Sequence, residues 1–156
     1  MQYLIKLNNL DETMKFARSI AQAIVPNFII TLAGELGSGK TTIVREVLHS
    51  LGIKGSIKSP TYTIVEPYKI NNLDLYHFDL YRFNDPEEWF ESGFDEYFEH
   101  HSICFIEWAE KAIEFIPVID WQISIKVAGI VRQIEVKTDS EKGKICLNQL
   151  IKLVGQ

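Results

Sequence analysis

The sequence is poor in the features of membrane, secreted and metal-cluster proteins. It has two cysteines, Cys104 and Cys146, and neither stands in a Cys-x-x-Cys or His-x-His spacing that would predict a disulfide framework or a zinc site. No apolar run approaches the roughly 18 residues that a transmembrane helix needs, and the N-terminus lacks the basic and then apolar profile of a signal peptide. We therefore expect a cytoplasmic protein that does not enter a membrane.

Basic residues are also scarce. The chain has 16 Lys and Arg residues against 21 Asp and Glu residues, which gives a net charge of −5. Such a chain has no broad electrostatic attraction to a nucleic-acid backbone, so any contact with RNA is expected to be indirect, through another protein. The length of 156 residues and the hydrophobic content of 46% predict one globular domain over residues 1–156.

The most informative stretch is the glycine-rich loop Gly34-Glu35-Leu36-Gly37-Ser38-Gly39-Lys40-Thr41-Thr42. It fits the P-loop pattern, in which backbone N–H groups surround phosphates, the lysine reaches the β and γ phosphates, and the first hydroxyl residue ligates Mg²⁺. The apolar run at 28–33 is typical of a strand buried in a parallel sheet. Apolar residues at helical spacing fill 43–51, and Gly52 ends the predicted helix. The order strand, glycine loop, helix predicts a nucleotide-binding loop.

Two acidic residues in predicted strands are candidates for binding the metal or positioning water. Glu107 ends the apolar run 102–107, so a buried strand would bring its carboxylate to the sheet edge where ligands bind in open α/β folds. Asp79 lies in the predicted strand 73–81, where an acid is costly to bury unless it meets a cation or donors. Many P-loop enzymes have Asp at the position of Glu107, where the acid holds Mg²⁺ or orients water. Which of the two acids touches metal and which positions water stays open.

The other patterns complete an α/β prediction: a three-layer P-loop NTPase fold whose central mixed sheet, with a parallel core and antiparallel edge strands, is flanked by helices. In chain order the remaining elements are predicted as an edge strand at 2–7, a helix from Asn9 to before Pro26, paired strands at 62–68 and 73–81, a helix starting at Asp85, a short helix at 108–115, a half-exposed antiparallel strand at 119–127, a strand at Val131–Lys137 and a C-terminal helix.

Two further residues on predicted strand faces have ordinary structural explanations. Arg132 shares its face with Ile134 and Val136, so its charge is predicted to point the same way as buried residues. Such an arginine is an internal salt-bridge partner or a nucleotide contact, and the pattern slightly favours the salt bridge. His77 shares a face with Asp79, and we interpret His77 as a residue that stabilises the structure.

Several sequence blocks together resemble the bacterial TsaE (YjeE) family. The glycine loop is followed by Ser59-Pro60-Thr61-Tyr62, Tyr76-His77-Phe78-Asp79-Leu80-Tyr81-Arg82 and Ile106-Glu107-Trp108, in the family's order and spacing, from about residue 5 to residue 137. The resemblance implies a small ATPase that uses ATP and Mg²⁺. With the TsaD and TsaB proteins, such an ATPase is required for the threonylcarbamoyl modification of the adenosine beside the anticodon in tRNAs that read codons starting with A. The resemblance further implies that TsaD transfers the group, while the ATPase binds the TsaD and TsaB assembly and supports repeated turnover.

Residue by residue, the resemblance also implies roles in the site. The phosphate cradle is implied to consist of Gly37, Ser38, Gly39 and Lys40, with Thr42 at the phosphates. Thr41 and Glu107 would be the Mg²⁺ partners, and Lys40, Asp79 and Glu107 would carry hydrolysis. The nucleotide-side contacts would include Glu110, from the family's E-W-x-E pattern, and Arg132, although Val131 stands where relatives often have Gly.

Three other functions remain as alternatives to an accessory ATPase. A nucleotide-gated docking module would have the same loop with negligible hydrolysis. A small-molecule P-loop kinase would need an acceptor lid, for which 156 residues leave little room, and no Arg-rich lid segment is present. A regulatory GTPase is disfavoured because the sequence has no Asn-Lys-x-Asp-like element for reading guanine.

Overall fold

The structure, a computed structural model, describes residues 1–99 and 101–156. Within these residues the chain forms four α-helices and seven strands that join in one sheet, in the spatial order β1-β7-β6-β2-β5-β4-β3. The strands are β1 (Gln2–Leu7), β2 (Phe28–Gly34), β3 (Val65–Ile70), β4 (Leu73–Asp79), β5 (Ser102–Glu107), β6 (Trp121–Ala128) and β7 (Val131–Lys137). The helices are α1 (Leu10–Ala23), α2 (Lys40–Leu51), α3 (Pro86–Glu91) and α4 (Glu141–Val154).

The sheet is mixed, with parallel strands at its centre. Strands β4, β5, β2 and β6 run parallel, whereas β3 and β7 pair antiparallel with β4 and β6, and β1 pairs antiparallel with β7. This arrangement confirms the predicted α/β class and the parallel core with antiparallel edges. Pro67, which has no N–H to donate, lies in the edge strand β3, where a missing donor interrupts no second ladder.

Two hydrophobic cores cover the two faces of the sheet. Successive side chains of a strand point to opposite faces, and in β5 Ile103 and Phe105 enter the larger core while Cys104 and Ile106 enter the smaller one. The larger core is closed by α1, α2 and α4, and the smaller, aromatic-rich core by α3 and the turns around it. Among the described residues, no helix combines the length and apolarity needed to cross a bilayer.

The carboxyl ends of the parallel strands lie side by side and form the edge of the sheet at which α2 begins. The register pairs Leu32 of β2 with Glu107 of β5, and Glu107 in turn with Asp79 of β4. The chain leaves β2 through the glycine-rich loop, residues 34–39, and enters α2 at Lys40. Both candidate acids and the loop therefore lie at one edge.

Two of the sequence predictions about secondary structure are wrong, and a third is correct only in part. Strand β3 begins at Val65 rather than at residue 62, because Ile64 has a left-handed φ of 69° and its N–H bonds back to the Pro60 carbonyl. Residues 108–115 form two short 3₁₀ turns instead of one helix, because Trp108 also has a left-handed φ, of 59°. The antiparallel prediction for β6 holds for one neighbour only: β6 pairs antiparallel with β7 and parallel with β2, because an alternating pattern indicates one exposed face and does not determine strand direction.

Helix α4 is fixed at the opposite edge of the sheet. The buried Asp120 carboxylate accepts hydrogen bonds from the Ile29 N–H at 2.9 Å and from the Ser140 hydroxyl at 2.8 Å. Ser140 caps the helix by accepting from the N–H of Gly143. A Cβ at Gly143 would overlap Thr138 Oγ1 and the Asp120 carbonyl, so the helix can approach the sheet this closely only with glycine there.

Candidate functional site

The glycine-rich loop leaves the first N–H groups of α2 without side-chain partners. Gly37 and Gly39 have φ of 80° and 110°, which glycine adopts without strain. Gly39 is the N-cap of α2 and provides no side-chain cap, and the first turn carries no acidic residue. Free N–H groups and the positive end of the helix dipole favour an anion at such a start. An ideal Cβ on Gly37 or Gly39 would meet no protein atom within 4 Å, so the space beside the loop is open.

The Lys40 side chain folds back onto the loop and bonds to its backbone. The side chain is buried, and Nζ donates to the carbonyl oxygens of Gly34 and, at 3.3 Å, of Glu35. The ammonium group has three donors, so a third is left after these two bonds. Nζ also lies 5.7 Å from the centre of the Trp108 ring, and a small cavity of about 40 Å³ between them is lined by Glu110 as well.

The Arg132 side chain, from strand β7, also bonds to the loop. Its Nε donates to the Ser38 carbonyl at 2.9 Å, and one terminal nitrogen donates to the Gly129 carbonyl at 3.0 Å in the turn between β6 and β7. Ser38 also donates its own N–H to the Glu35 carbonyl at 3.0 Å, while its buried Oγ has no hydrogen-bond partner. Arg132 thus supports the loop through hydrogen bonds to backbone carbonyl groups, which differs from the salt bridge that its strand face favoured. Its contact with a nucleotide stays a prediction.

An open groove of about 420 Å³ runs along this side of the loop. One wall is the start of α1, with Asn9, Leu10 and Thr13, and the other is the β6–β7 turn with Ile130 and Arg132. Gly37, Ser38, Gly39 and Thr42 form its floor. The Leu10 and Ile130 side chains are largely exposed, which makes the groove both apolar and accessible next to the helix start.

Glu107 is buried at the end of β5 and pairs with a histidine. Its Oε2 lies 2.6 Å from Nε2 of His77, and the two side chains are 4% and 1% exposed. A carboxylate can only accept, so we assign the proton between them to Nε2. The interpretation of His77 as a purely structural residue overlooked this contact. The signal that could have found it was the period-two face that His77 shares with Asp79, next to a strand ending in Glu107.

Asp79 is the last residue of β4 and lies at the same edge. Its Oδ1 accepts a hydrogen bond from the Tyr81 N–H at 3.0 Å, and its own N–H donates to the Ile64 carbonyl at 2.8 Å. Burial raises the pKa of the Asp79 carboxyl, against the lowering effect of the Tyr81 N–H. The charge of Glu107 raises that pKa further, while His77 and Lys40 lower it.

The remaining predicted residues lie on the helix start and on the turn after β5. Thr41 and Thr42 are half-buried in the first turn of α2, and Glu110 is exposed in the first 3₁₀ turn. No cluster of three or more His, Cys, Asp or Glu side chains suited to a metal is found in residues 1–99 and 101–156. The structure therefore brings the loop, Lys40, Asp79 and Glu107 to one edge, with Glu110 beside Lys40 and Arg132 behind the loop.

The fold and the site define an α/β protein with a glycine-rich loop between a central parallel strand and a helix. A family model described as "Threonylcarbamoyl adenosine biosynthesis protein TsaE" matches residues 7–134. The chain belongs to the TsaE family, as the sequence resemblance predicted. Helix α4 lies beyond the matched residues.

The relatives are similar along most of their length. A Haemophilus influenzae protein named "tRNA threonylcarbamoyladenosine biosynthesis protein TsaE" is 40% identical over 136 residues, which cover 84% of this chain and 86% of the relative. The Bacillus subtilis protein of the same name is 41% identical over 121 residues, covering 78% and 75%. The crystal structure of Bacillus subtilis YdiB superposes with a TM-score of 0.82 at 32% identity, covering 97% of this chain and 95% of that one.

Proposed function

We propose that this protein is a P-loop ATPase that serves as an accessory subunit in tRNA threonylcarbamoyladenosine biosynthesis. It would act with the TsaD and TsaB proteins in modifying the adenosine beside the anticodon of tRNAs that read codons starting with A, and its ATP hydrolysis would support turnover of the assembly. The family membership supports the pathway. The observation that carries the ATPase activity is the placement of Lys40, the loop and two acids at the carboxyl ends of the parallel strands.

We propose ATP as the ligand of this edge. The uncapped start of α2 and the spare donor of Lys40 supply positive potential and N–H groups for the phosphates of the nucleotide. The adjoining groove, between Leu10 and Ile130, gives its base and ribose an apolar space directly beside the loop. Thr42, in the groove floor, would lie next to the phosphates, and the exposed Glu110 would approach the nucleotide from the Trp108 side.

The donors also fit Mg²⁺. This ion prefers oxygen ligands, keeps several waters and is usually held by one or two protein groups together with substrate phosphates. The Glu107 carboxylate and the Thr41 hydroxyl are oxygen donors at the end of β5 and the start of α2, and we propose them as its protein partners. When bound with the nucleotide, Mg²⁺ supplies charge stabilisation on the phosphate oxygens.

The protein groups have separate roles in the proposed hydrolysis. Lys40 and the loop N–H groups stabilise the negative charge that develops as water attacks the γ-phosphate in line. Asp79 ends β4 at the same edge as Glu107, with a carboxyl whose pKa is raised mainly by burial, and we propose that it positions the water. Arg132 contributes by holding the Ser38 carbonyl and hence the loop.

Contact with tRNA is proposed to be indirect. The net charge of −5 gives no broad attraction to a phosphate backbone, so the TsaD and TsaB proteins would carry most of the tRNA contact, in the cytoplasm.

A second candidate is a nucleotide-gated docking module whose ATP state controls binding to the partners while hydrolysis stays negligible. The same loop would serve it, and the acids distinguish the two functions. For the ATPase, Glu107→Gln and Asp79→Asn should lose phosphate release and still bind ATP and the TsaD and TsaB proteins. For the docking module, the same variants would support tRNA modification as well as the unchanged protein does. Phosphate release, partner co-elution and tRNA modification, measured on the same samples, decide between the two.

A further inference from the structure

The buried pair of His77 and Glu107 interrupts an apolar strand face. Along β4, Leu75 is buried in the larger core, His77 follows on the same face, and Asp79 ends the strand. On β5, Phe105 is the register partner of His77, and Glu107 is the register partner of Asp79. The imidazole therefore stands between a hydrophobic core and two acids at the edge of the sheet.

The imidazole gives the buried Glu107 carboxylate a hydrogen-bond donor but leaves one of its own polar atoms without a partner in the described part of the chain. With Nε2–H bonded to Glu107, the other ring nitrogen, Nδ1, is fully buried and has no hydrogen-bond partner among the described residues. A buried polar atom without a partner costs free energy; a leucine here would avoid that cost at Nδ1 but would leave the buried Glu107 carboxylate without its donor. The feature that the ring provides and leucine cannot is the bond to the carboxylate.

The bond fixes one oxygen of Glu107 and leaves the other for a ligand. Oε2 is held at 2.6 Å by His77, and Oε1 accepts no hydrogen bond from residues 1–99 or 101–156. His77 is itself rigidly placed, because β4 is paired on both sides, with β3 and β5. A ligand carboxylate that is oriented by a second, immobile group binds its metal more tightly, typically by 10- to 100-fold.

We propose that His77 is a positioning residue that orients the Glu107 carboxylate towards the magnesium of a bound nucleotide. The inference rests on the proposed function, because it takes Glu107 as a metal partner, and it adds a residue that acts through Glu107 without touching nucleotide or metal. It predicts that His77 governs how much Mg²⁺ tightens nucleotide binding, and that it has little effect on nucleotide binding without Mg²⁺.

The test uses the whole protein and the β,γ-imido analogue of ATP, titrated calorimetrically with and without Mg²⁺. The Mg²⁺ gain is the dissociation constant measured without Mg²⁺ divided by the one measured with Mg²⁺. Glutamine places its amide nitrogen where Nε2 of the ring lies, whereas the shorter asparagine does not reach Glu107, so His77→Gln and His77→Asn form a matched pair. His77→Leu removes the donor altogether, and Glu107→Gln removes the proposed metal partner.

We expect His77→Asn and His77→Leu to lose about 10- to 100-fold of the Mg²⁺ gain, with unchanged affinity in the absence of Mg²⁺, and His77→Gln to keep most of the gain. Should the leucine variant fail to fold, the glutamine and asparagine pair carries the comparison. A merely structural histidine would give variants with lowered melting temperatures and the full Mg²⁺ gain, and that result would overturn the inference. If Glu107→Gln loses the gain while all His77 variants keep it, only the role of His77 is wrong. If the unchanged protein does not bind the analogue, the proposed function fails as well.

Discussion

Arg132 and Ser38 are 94 positions apart in the chain, and a hydrogen bond of 2.9 Å from Nε to the carbonyl oxygen joins them. This bond connects the start of β7 to the glycine-rich loop. The loop is therefore held by two side chains, Lys40 from helix α2 and Arg132 from strand β7. A loop that is already held in shape loses less conformational entropy when it binds a ligand.

Replacing Arg132 should therefore weaken nucleotide binding even if the side chain never touches nucleotide. We expect Arg132→Ala to bind ATP at least about tenfold more weakly, because a hydrogen bond from a charged donor contributes about 1.5–3 kcal/mol. Calorimetric titration measures this, with Arg45→Ala, on the exposed side of α2, as the matched control. Equal affinity in the two variants would show that the loop needs no support from β7.

Lys40→Ala should abolish nucleotide-dependent activity and leave the fold intact. The two bonds of Nζ stay within the loop, and no ion pair of this lysine is found in the described part of the chain. The variant should lose measurable ATP binding and keep a melting temperature within a few degrees of the unchanged protein, like the exposed-lysine control Lys54→Ala. A strongly lowered melting temperature without ligand would assign Lys40 a structural role instead.

Asp79→Asn should gain stability and lose hydrolysis. Burial raises the pKa of this carboxyl, so folding disfavours its ionised form, and that cost is present above the raised pKa and absent below the usual value of 3.8. The asparagine variant should melt at a higher temperature than the unchanged protein at pH 7.5, with a difference that shrinks as the pH falls. Phosphate release should fall by about a hundredfold or more. A stability difference that grows towards low pH would contradict the direction of the shift.

Gly143→Ala should destabilise the fold without affecting the site. The new Cβ would overlap Thr138 Oγ1 and the Asp120 carbonyl, and forcing atoms into a packed contact typically costs about 1–3 kcal/mol. Urea unfolding measures the loss, and Gly155→Ala, where an added Cβ has ordinary contacts, serves as control. ATP affinity should stay unchanged, because Gly143 lies at the opposite edge of the sheet. If the two variants unfold at the same urea concentration, helix α4 packs less closely than described.

The parts of the site that sequence reasoning predicted are those in which neighbouring residues carry the signal. The glycine loop between an apolar run and a helical pattern, and the acid at the end of 102–107, could be read from short stretches, and so could the α/β class. The TsaE resemblance depended on such blocks and was confirmed by the comparisons. The ligand roles of these residues stay predictions.

The parts that were missed depend on contacts between distant segments. The bond from His77 to Glu107 follows from the register of β4 against β5. The partner of Arg132 is Ser38 in the glycine-rich loop, 94 positions earlier in the chain. The parallel direction of β6 is likewise set by its place beside β2. Left-handed φ at Ile64 and Trp108 makes the observed elements shorter than predicted. The sequence did not predict these turns, because β-branched and aromatic residues rarely adopt a left-handed φ.

The central claim, ATP hydrolysis that serves a TsaD and TsaB assembly, is tested most directly by phosphate release from ATP. The protein is assayed alone and mixed with the TsaD and TsaB proteins, with and without Mg²⁺, and Lys40→Ala gives the background. The account predicts Mg²⁺-dependent release that rises when the partners are added and is lost in the variant. ATP binding without phosphate release in any mixture would contradict it.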